Sequence, residues 1–157
     1  MLVFQGLKSE ELARLCPVDI KIADRKIHIA VSRRSNARDI ELKPFQLEDL
    51  QIYIKTDRKE ILKSWSKKSD KLFVSLGKSD HFNNTMQKLM ESLRRLDSRI
   101  ASAKQLRASV LTIWTAKYNL RKAQYMAGHR YVSSTQRYQK GNLEDLKNEV
   151  EIFHPLT

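Results

Sequence analysis

The fold is decided by a stretch near the C-terminus that reads Ala127-Gly128-His129-Arg130-Tyr131-Val132-Ser133-Ser134-Thr135-Gln136-Arg137-Tyr138. Residues 120–127 predict a short helix, and Gly128 is suited to end it because a glycine readily adopts the left-handed conformation of a helix stop. Ser133 and Gln136 have the spacing of a capping box, in which each side chain bonds the other residue's backbone N–H. We therefore expect a helix end at His129, followed by a capped helical turn that carries Tyr138.

Apolar residues upstream of this stretch recur at helical spacing. The clearest stripe predicts a helix through Phe82, Met86, Leu89, Met90, Leu93 and Leu96. Further helices are predicted over residues 104–117, with Leu106, Val110, Ile113 and Trp114 on one face, and over residues 46–56, with continuation through Ile61, Leu62 and Trp65. We interpret these stripes as core faces, because large apolar side chains at this spacing are usually buried.

Closer to the N-terminus the period changes from helical to alternating. A short helix over residues 9–15, with Ser9 as its cap, is predicted to end before Pro17. Apolar residues then alternate in three runs, which are Ile20 and Ile22, then Ile27, Ile29 and Val31, then Ile40 and Leu42. They predict a three-stranded antiparallel meander with a basic tip at residues 32–37. Residues 72–74 are compatible with a short strand or an extended segment.

The fold class that follows is α+β and mainly helical, with a small antiparallel sheet near the front of the chain. A chain of 157 residues suits one compact domain, so we assign a single domain to residues 1–157. Met1-Leu2-Val3-Phe4 looks like the end of a helix whose beginning is missing, and we expect this first helix to be truncated.

The charge balance indicates a polyanionic partner. Lysine and arginine together number 30, against 18 acidic residues, which gives a net charge of +12. Such an excess usually means nucleic acid or another polyanion, although a merely soluble basic surface is the alternative. No segment approaches the ~20 apolar residues that span a bilayer, so nucleic acid is favoured over a membrane.

Cysteine and histidine usage does not indicate a metal site. Cys16 is the only cysteine, which excludes an internal disulfide and fits a reducing compartment. His28, His81 and His154 show no metal-ligand spacing with one another or with Cys16. We therefore expect neither a metal nor another cofactor.

Residues 127–138 resemble the last conserved box of the tyrosine recombinase (phage integrase) family, which reads roughly Leu-Gly-His, a few residues, Ser/Thr-Thr, then the nucleophilic tyrosine. Residues 104–107, Lys-Gln-Leu-Arg, are similar to the family's His-x-x-Arg box, and residues 5–12 are similar to its Thr-Gly-Leu-Arg-x-x-Glu-Leu box. The meander falls where the family has its three-stranded sheet. The amino-acid sequence of residues 126–135 is most similar to that of integrases of Bacteroidetes mobile elements.

The resemblance implies a DNA-cutting catalytic domain. In this family a tyrosine attacks a phosphodiester of duplex DNA and forms a 3′-phosphotyrosyl intermediate, without a metal or other cofactor. Tyr138 matches the nucleophile, Arg107 the second arginine that clamps the phosphate, and His129 the histidine or tryptophan that donates to it. Such a site needs cations and donors because negative charge builds up on the phosphate oxygens.

Three positions depart from the family pattern. Lys8 stands where the family has its first arginine, and Lys104 stands where it has a histidine. Arg33, or else Arg34, falls near the tip lysine that serves as the family's general acid. The pocket would stay strongly cationic, but an arginine with a pKa above about 12 is a poor proton donor. We therefore expect slow or conditional catalysis rather than its complete loss.

Duplex DNA is expected to be held mainly through its phosphates, with Arg34, Arg130 and Lys104 among the DNA-binding residues. The resemblance implies a bacterial cytoplasmic protein that integrates or excises a mobile element, as a homotetramer on DNA and a monomer when free. The separate N-terminal arm of the family has no room in 157 residues, so we expect this chain alone to bind DNA weakly.

Two other functions remain open at this level. One is a DNA-binding module that kept the fold but lost cleavage. The other is a basic RNA-binding protein, which only the charge supports. The predicted last helix, capped by Asn142, also has two interpretations: its apolar face covers its own core, or it docks into a neighbouring protomer, as C-terminal segments often do in this family.

Overall fold

The computed structural model describes residues 1–77 and 81–139, and the predicted last helix with its Asn142 cap lies outside them. The named helices in this part of the chain are α1 (Leu2–Gln5), α2 (Ser9–Leu12), α3 (Pro44–Lys55), α4 (Asp57–Ser64), α5 (Phe82–Leu96), α6 (Ala103–Lys117) and α7 (Leu120–Ala127). Residues 133–139 are helical as well. The strands are β1 (Ile20–Lys21), β2 (Lys26–Ile29) and β3 (Arg38–Glu41). The mainly helical α+β class is confirmed.

The three strands form the predicted antiparallel meander, in the order β1-β2-β3. Ile27 pairs with both Ile20 and Ile40, so the inward face of the sheet is apolar at its centre. The strands are shorter than the alternation suggested, because Ile22 and Val31 lie beyond their ends and are 47% and 60% exposed. Ladder hydrogen bonds end there, and the side-chain alternation ends with them.

Helix α6 lies at the centre of the helical part and packs against α1 and α7. Its buried face carries Val110, Leu111 and Trp114. Gly6, in the left-handed conformation with φ 53°, ends α1 directly on Val110, where a Cβ would lie 3.1 Å from that side chain. Ile113, predicted on the same face, is instead 61% exposed, since it is roughly 100° around the helix from Trp114.

The apolar stripe of α5 is only partly buried. Met86 and Met90 belong to the core, whereas Leu89 is 43% and Leu96 is 83% exposed. The core-facing interpretation is therefore wrong for these two leucines, because the buried face of α5 is narrower than the stripe.

Residues 72–74 do not form a strand, and Leu72 and Phe73 lie in a bend. Leu72 is fully buried, and its amide donates to the carbonyl of Leu15 at 2.6 Å. The short-strand alternative for residues 72–74 is therefore wrong. No helix in the described ranges is long and apolar enough to span a membrane.

Candidate active site

Helix α6 positions Arg107 at the centre of a polar cluster. The helix begins after Ser102, whose hydroxyl accepts a hydrogen bond from the amide of Gln105 at 3.2 Å. Arg107 is 7% exposed, and its guanidinium donates to the backbone carbonyls of Gly6 and Ala127. One side chain thus joins the ends of α1 and α7. A guanidinium has five N–H donors, so these bonds leave donors for a bound anion.

The left-handed end of α7 sets the position of His129, as the sequence predicted. Gly128 has a φ of 67°, and the His129 amide then donates to the carbonyl of Gln124 at 3.1 Å. The imidazole Nε2 lies 3.4 Å from an Nη atom of Arg107, and Nδ1 lies 2.9 Å from Thr135 Oγ1. The ring is therefore held between the guanidinium and a buried hydroxyl.

His129 is neutral near pH 7. Burial, and after it the charges of Arg107, Lys8 and Arg38, lower its pKa to about 4. A neutral imidazole has a single N–H, and its tautomer follows from the partner of the other nitrogen. The Arg107 guanidinium can only donate, so Nε2 accepts from it, and Nδ1 carries the proton and donates to Thr135 Oγ1.

Tyr138 contacts this cluster through its ring. The ring stacks on that of His129, with centroids 6.2 Å apart and planes inclined by 18°. The tyrosine is half-buried and lies in helix 133–139. The residue predicted to be the nucleophile therefore lies beside the histidine that bridges to Arg107.

The helix that carries Tyr138 begins differently from the capping-box prediction. The amide of Gln136 bonds to the carbonyl of Val132, which makes Ser133 the first helical residue rather than the cap. In the first turn of this helix, the hydroxyl of Thr135 is fully buried and forms a hydrogen bond with the His129 imidazole.

Lys8 lies at the start of α2. It, rather than the predicted Ser9, is the N-cap residue, because its amide donates to Glu11 Oε2 at 2.9 Å. Its Nζ lies 3.7 Å from the Glu10 carboxylate, and the side chain is 24% exposed. Burial lowers the pKa of the Lys8 ammonium, Glu11 opposes this, and the charge of Arg107 adds to the lowering.

A buried ion pair between Glu11 and Arg38 ties this cluster to the sheet. Two guanidinium nitrogens of Arg38 each lie 2.9 Å from a carboxylate oxygen of Glu11, and neither side chain is exposed. Arg38 also donates to the carbonyl of Met126 at 2.8 Å, and the Ser35 hydroxyl donates to Glu11 at 3.0 Å. Glu11 Oε2 lies 3.9 Å from Arg107 Nη1.

The Glu11 carboxylate is ionised at neutral pH. Burial alone would raise its pKa, but the hydrogen bonds and charge of Arg38, together with the Lys8 amide and Arg107, lower it to about 2. One buried negative charge is thus shared by several cations, which leaves the cluster with a positive excess.

The predicted site did not include Glu11 and Arg38. A signal for Arg38 was present: it is in phase with Ile40 and Leu42, so a charged side chain occupies the inward face of β3. Glu11 similarly shares the buried side of its helical turn with Leu12 and Leu15. Two opposite charges on buried faces indicate a pair, because an unpaired buried charge is very unfavourable.

The family model described as the phage integrase family matches residues 1–144. The chain belongs to the phage integrase family. Among curated proteins, none matches it significantly.

Solved tyrosine recombinase structures share the fold of this integrase-family chain. XerA recombinase superposes with a TM-score of 0.73 at 19% identity, over 99% of this chain and 55% of its own. XerH, bound to a palindromic difH substrate, gives 0.75 at 22%, over 97% and 43%. The Tn1549 transposon integrase, in complex with transposon right end DNA, gives 0.70 at 17%, over 97% and 56%. The predicted catalytic-domain fold is confirmed, and the chain spans about half the length of these proteins.

Two of the predicted cationic residues lie at the tip of the meander. Arg33 and Arg34 are exposed there, next to a bridge between Ser32 and Ser35. The tip adjoins the helix end at His129, because Arg130 donates to the Ser32 carbonyl at 2.9 Å. Asn36 likewise donates to the carbonyl of Gly128 at 2.9 Å.

The structure does not bring every predicted residue into the cluster. Arg33 makes no hydrogen bond or ion pair with the described residues, and its side chain is solvent-exposed. Lys104 is exposed on the first turn of α6, three residues before the buried Arg107. Arg107, His129, Tyr138 and Lys8 therefore form the cluster of this integrase-family chain, and Arg33, Arg34, Lys104 and Arg130 lie on its surface.

Within the described ranges, no three histidine, cysteine or carboxylate side chains gather in a group that could hold a metal ion. His154, considered above as a candidate ligand, lies outside them. The groups that the cluster offers to a ligand are hydrogen-bond donors and cations, which suit an anion.

Proposed function

We propose that this chain is the catalytic part of a tyrosine recombinase that cuts and rejoins duplex DNA at specific sites. The observation that carries the proposal is the contact chain from Tyr138 through His129 to Arg107. The tyrosine ring stacks on the imidazole, and the imidazole lies 3.4 Å from the guanidinium. A nucleophile placed beside fixed cations is what phosphoryl transfer to a protein hydroxyl requires.

In the proposed reaction, the Tyr138 oxygen attacks a DNA phosphodiester and remains bonded to the 3′ phosphate. Arg107 binds the phosphate oxygens, and its bonds to the Gly6 and Ala127 carbonyls hold it ready for this task. Preorganised donors stabilise the developing charge without having to reorient during the reaction. Lys8, Lys104 and Arg33 add positive charge around the same phosphate.

His129 donates from Nε2 to the phosphate in this mechanism. Its low pKa leaves it neutral, so the donor is an imidazole and not an imidazolium. Donation needs the tautomer with the proton on Nε2, so a bound phosphate must replace Nε2 as the acceptor of the Arg107 N–H while the Thr135 hydroxyl donates to Nδ1. We infer that Thr135 orients the ring and, because a hydroxyl can both accept and donate, satisfies Nδ1 in either tautomer.

The partner is duplex DNA, which Arg34, Arg130 and Lys104 bind through its phosphates. All three side chains are exposed. The similar XerH and Tn1549 integrase were solved in complexes with DNA. By the same likeness we propose a homotetramer on DNA and a monomer when free, acting in the movement of a mobile element.

The experiment that tests this function is trapping of the covalent adduct. The protein is incubated with nicked duplex DNA that carries the end of its host element, and the products are separated on a denaturing gel. We expect a protein–DNA band that is lost in Tyr138→Phe. Tyr131→Phe is the matched control: Tyr131 is 72% exposed and outside the cluster, so its removal should leave the band unchanged.

Loss of the band in both variants, or its persistence in Tyr138→Phe, would contradict the assignment of the nucleophile. DNA binding without any covalent band would favour the alternative of a non-cutting DNA-binding module. The departures from the family pattern at Lys8, Lys104 and Arg33 are consistent with that alternative. Tighter binding to structured RNA than to duplex DNA at the same salt concentration would favour the RNA-binding alternative.

A further inference from the structure

The proposed cleavage needs a proton donor for the leaving 5′ oxygen, and Arg33 is poorly suited to supply it. A guanidinium with a pKa above about 12 does not readily release a proton. Arg33 is also exposed at the meander tip, without a hydrogen bond or ion pair to any described residue. Charge stabilisation is the most that this position can offer.

Lys8 lies in the cluster, and its ammonium group can donate a proton. Residues 6–8 are anchored from two sides: the Gly6 carbonyl accepts from Arg107, and the Lys8 amide donates to Glu11. Glu11 is itself held by the buried Arg38. The backbone that carries Lys8 is therefore fixed relative to the guanidinium that binds the phosphate, while the side chain stays 24% exposed and can be reached by DNA.

Burial of Lys8 also favours proton release. Burial lowers the pKa of its ammonium, and Arg107 on α6 and Arg38 on β3 lower it further. Glu10 and Glu11 on α2 oppose this effect. Positive charge on Lys8 in turn lowers the pKa of His129, which places the two groups within electrostatic reach of each other. An amine in such surroundings is a better acid than a free lysine.

We propose that Lys8, and not the tip residue Arg33, is the general acid that protonates the 5′ leaving oxygen. This inference rests on the proposed function. As the bond between Tyr138 Oη and phosphorus forms, the bond between phosphorus and O5′ breaks, and the ammonium proton of Lys8 moves to O5′. The products are a 5′-hydroxyl and a neutral amine, and the phenolic proton passes to solvent water. In rejoining, the amine takes the proton back as O5′ attacks phosphorus, the bond between phosphorus and Tyr138 Oη breaks, and the released phenolate takes a proton from water.

The test compares two versions of the same nicked duplex, one with an ordinary scissile phosphate and one with sulfur in place of the bridging 5′ oxygen. A thiolate leaves without protonation, so the sulfur substrate does not need a general acid. We expect Lys8→Met to slow cleavage of the ordinary duplex by about 100-fold or more and to cleave the sulfur duplex near the wild-type rate. Lys8→Arg, which keeps the charge, should show the same deficit and the same rescue.

Arg33→Met and Lys104→Met are the matched controls, and each should slow both substrates by the same factor. Equal deficits of the Lys8 variants on both substrates, or full activity of Lys8→Arg on the ordinary duplex, would overturn the inference and leave Lys8 a phosphate-binding cation. If the sulfur duplex restored cleavage by Arg33→Met and not by the Lys8 variants, the general acid would be Arg33 at the meander tip. If wild-type protein formed no adduct with either duplex, the proposed function itself would fall, and the inference with it.

Discussion

At the scale of single residues, the site depends on charges that are buried and shared. Glu11 bonds to Arg38 and to the Lys8 amide, and it lies 3.9 Å from Arg107. One carboxylate therefore joins the cations of the proposed site. The predicted site residues included neither Glu11 nor Arg38, so these contacts were not expected. Arg38 bonds to both carboxylate oxygens of Glu11, so the Arg107 guanidinium does not form its own bidentate pair with this acid and keeps donors for a phosphate.

We expect Arg38→Met to lower the free energy of unfolding by about 3–5 kcal/mol, because it removes the bidentate partner of the buried Glu11 carboxylate and leaves only the 3.9 Å ion pair with Arg107. Denaturant titration at neutral pH measures this. Arg99→Met is the matched control, since Arg99 pairs with Asp97 at 2.8 Å on the surface and is 88% exposed. Little change is expected there. An equal effect of the two substitutions would show that the buried pair does not matter for stability.

His129 gives the protein a specific dependence on acid. Its folded pKa of about 4 lies below the ordinary 6.5, so the unfolded chain binds more protons between these values. The free energy of unfolding should therefore fall as the pH is lowered from 6.5 to 4. His129→Gln should reduce this slope in denaturant titrations across that window, and His28→Gln should keep it. An unchanged slope in His129→Gln would mean that the histidine is not held neutral.

At the scale of elements, the end of α7 leaves no room for a side chain at Gly128. Gly128 is left-handed, and a Cβ there would overlap the guanidinium of Arg38, with its Cζ only 2.8 Å away. The glycine is therefore needed for two reasons: for the backbone turn that presents His129 and for the space that the buried arginine occupies.

We expect Gly128→Ala to destabilise the fold by more than the ~1–2 kcal/mol that left-handed backbone costs a residue with a side chain. Gly77→Ala is the control, because Gly77 also has a positive φ, 91°, but no atom within 4 Å of an added Cβ. The difference in unfolding free energy between the two variants measures the displacement of Arg38. Equal losses would show that Arg38 moves aside freely.

At the scale of the whole molecule, the chain carries a net charge of +12, and some of its exposed cations adjoin the cluster. The meander tip, Arg130 and the His129 helix end adjoin each other, with Arg130 bonded to the Ser32 carbonyl. A phosphate bound by the cluster would be bordered by these exposed cations. This arrangement fits a substrate that is recognised mainly through its backbone.

DNA binding should accordingly weaken steeply with salt, with a linear fall of log affinity against log salt concentration. Arg130→Gln should reduce the magnitude of that slope by about 1, as expected for the loss of one phosphate contact. Lys117→Gln should not change it, because Lys117 lies at the other end of α6, roughly 15 Å from Arg107. Fluorescence anisotropy with a duplex at several salt concentrations provides the slopes. Equal slopes for all three proteins would place Arg130 outside the DNA contact.

Local signals in the sequence predict most of the elements and their order. Alternation predicted the meander, the helical stripes predicted α5 and α6, and Gly128 predicted the end of α7, because these signals lie between residues that are close in the chain. The resemblance to the phage integrase family likewise singled out Arg107, His129 and Tyr138, which the structure brings together. The exposed Ile113 and Leu96 show the limit of periodicity, which locates a face but not its width.

The set of side chains that share the cluster follows from long-range contacts in the fold. Arg38 meets Glu11 across 27 residues and Arg107 meets the Gly6 carbonyl across 101, and no period or local motif records contacts of that length. The structure also separated Lys8, which lies in the cluster, from Arg33, which lies at an exposed tip. The physical reason is that burial and charge pairing depend on what the rest of the chain places nearby, whereas helix and strand periods depend only on neighbouring residues.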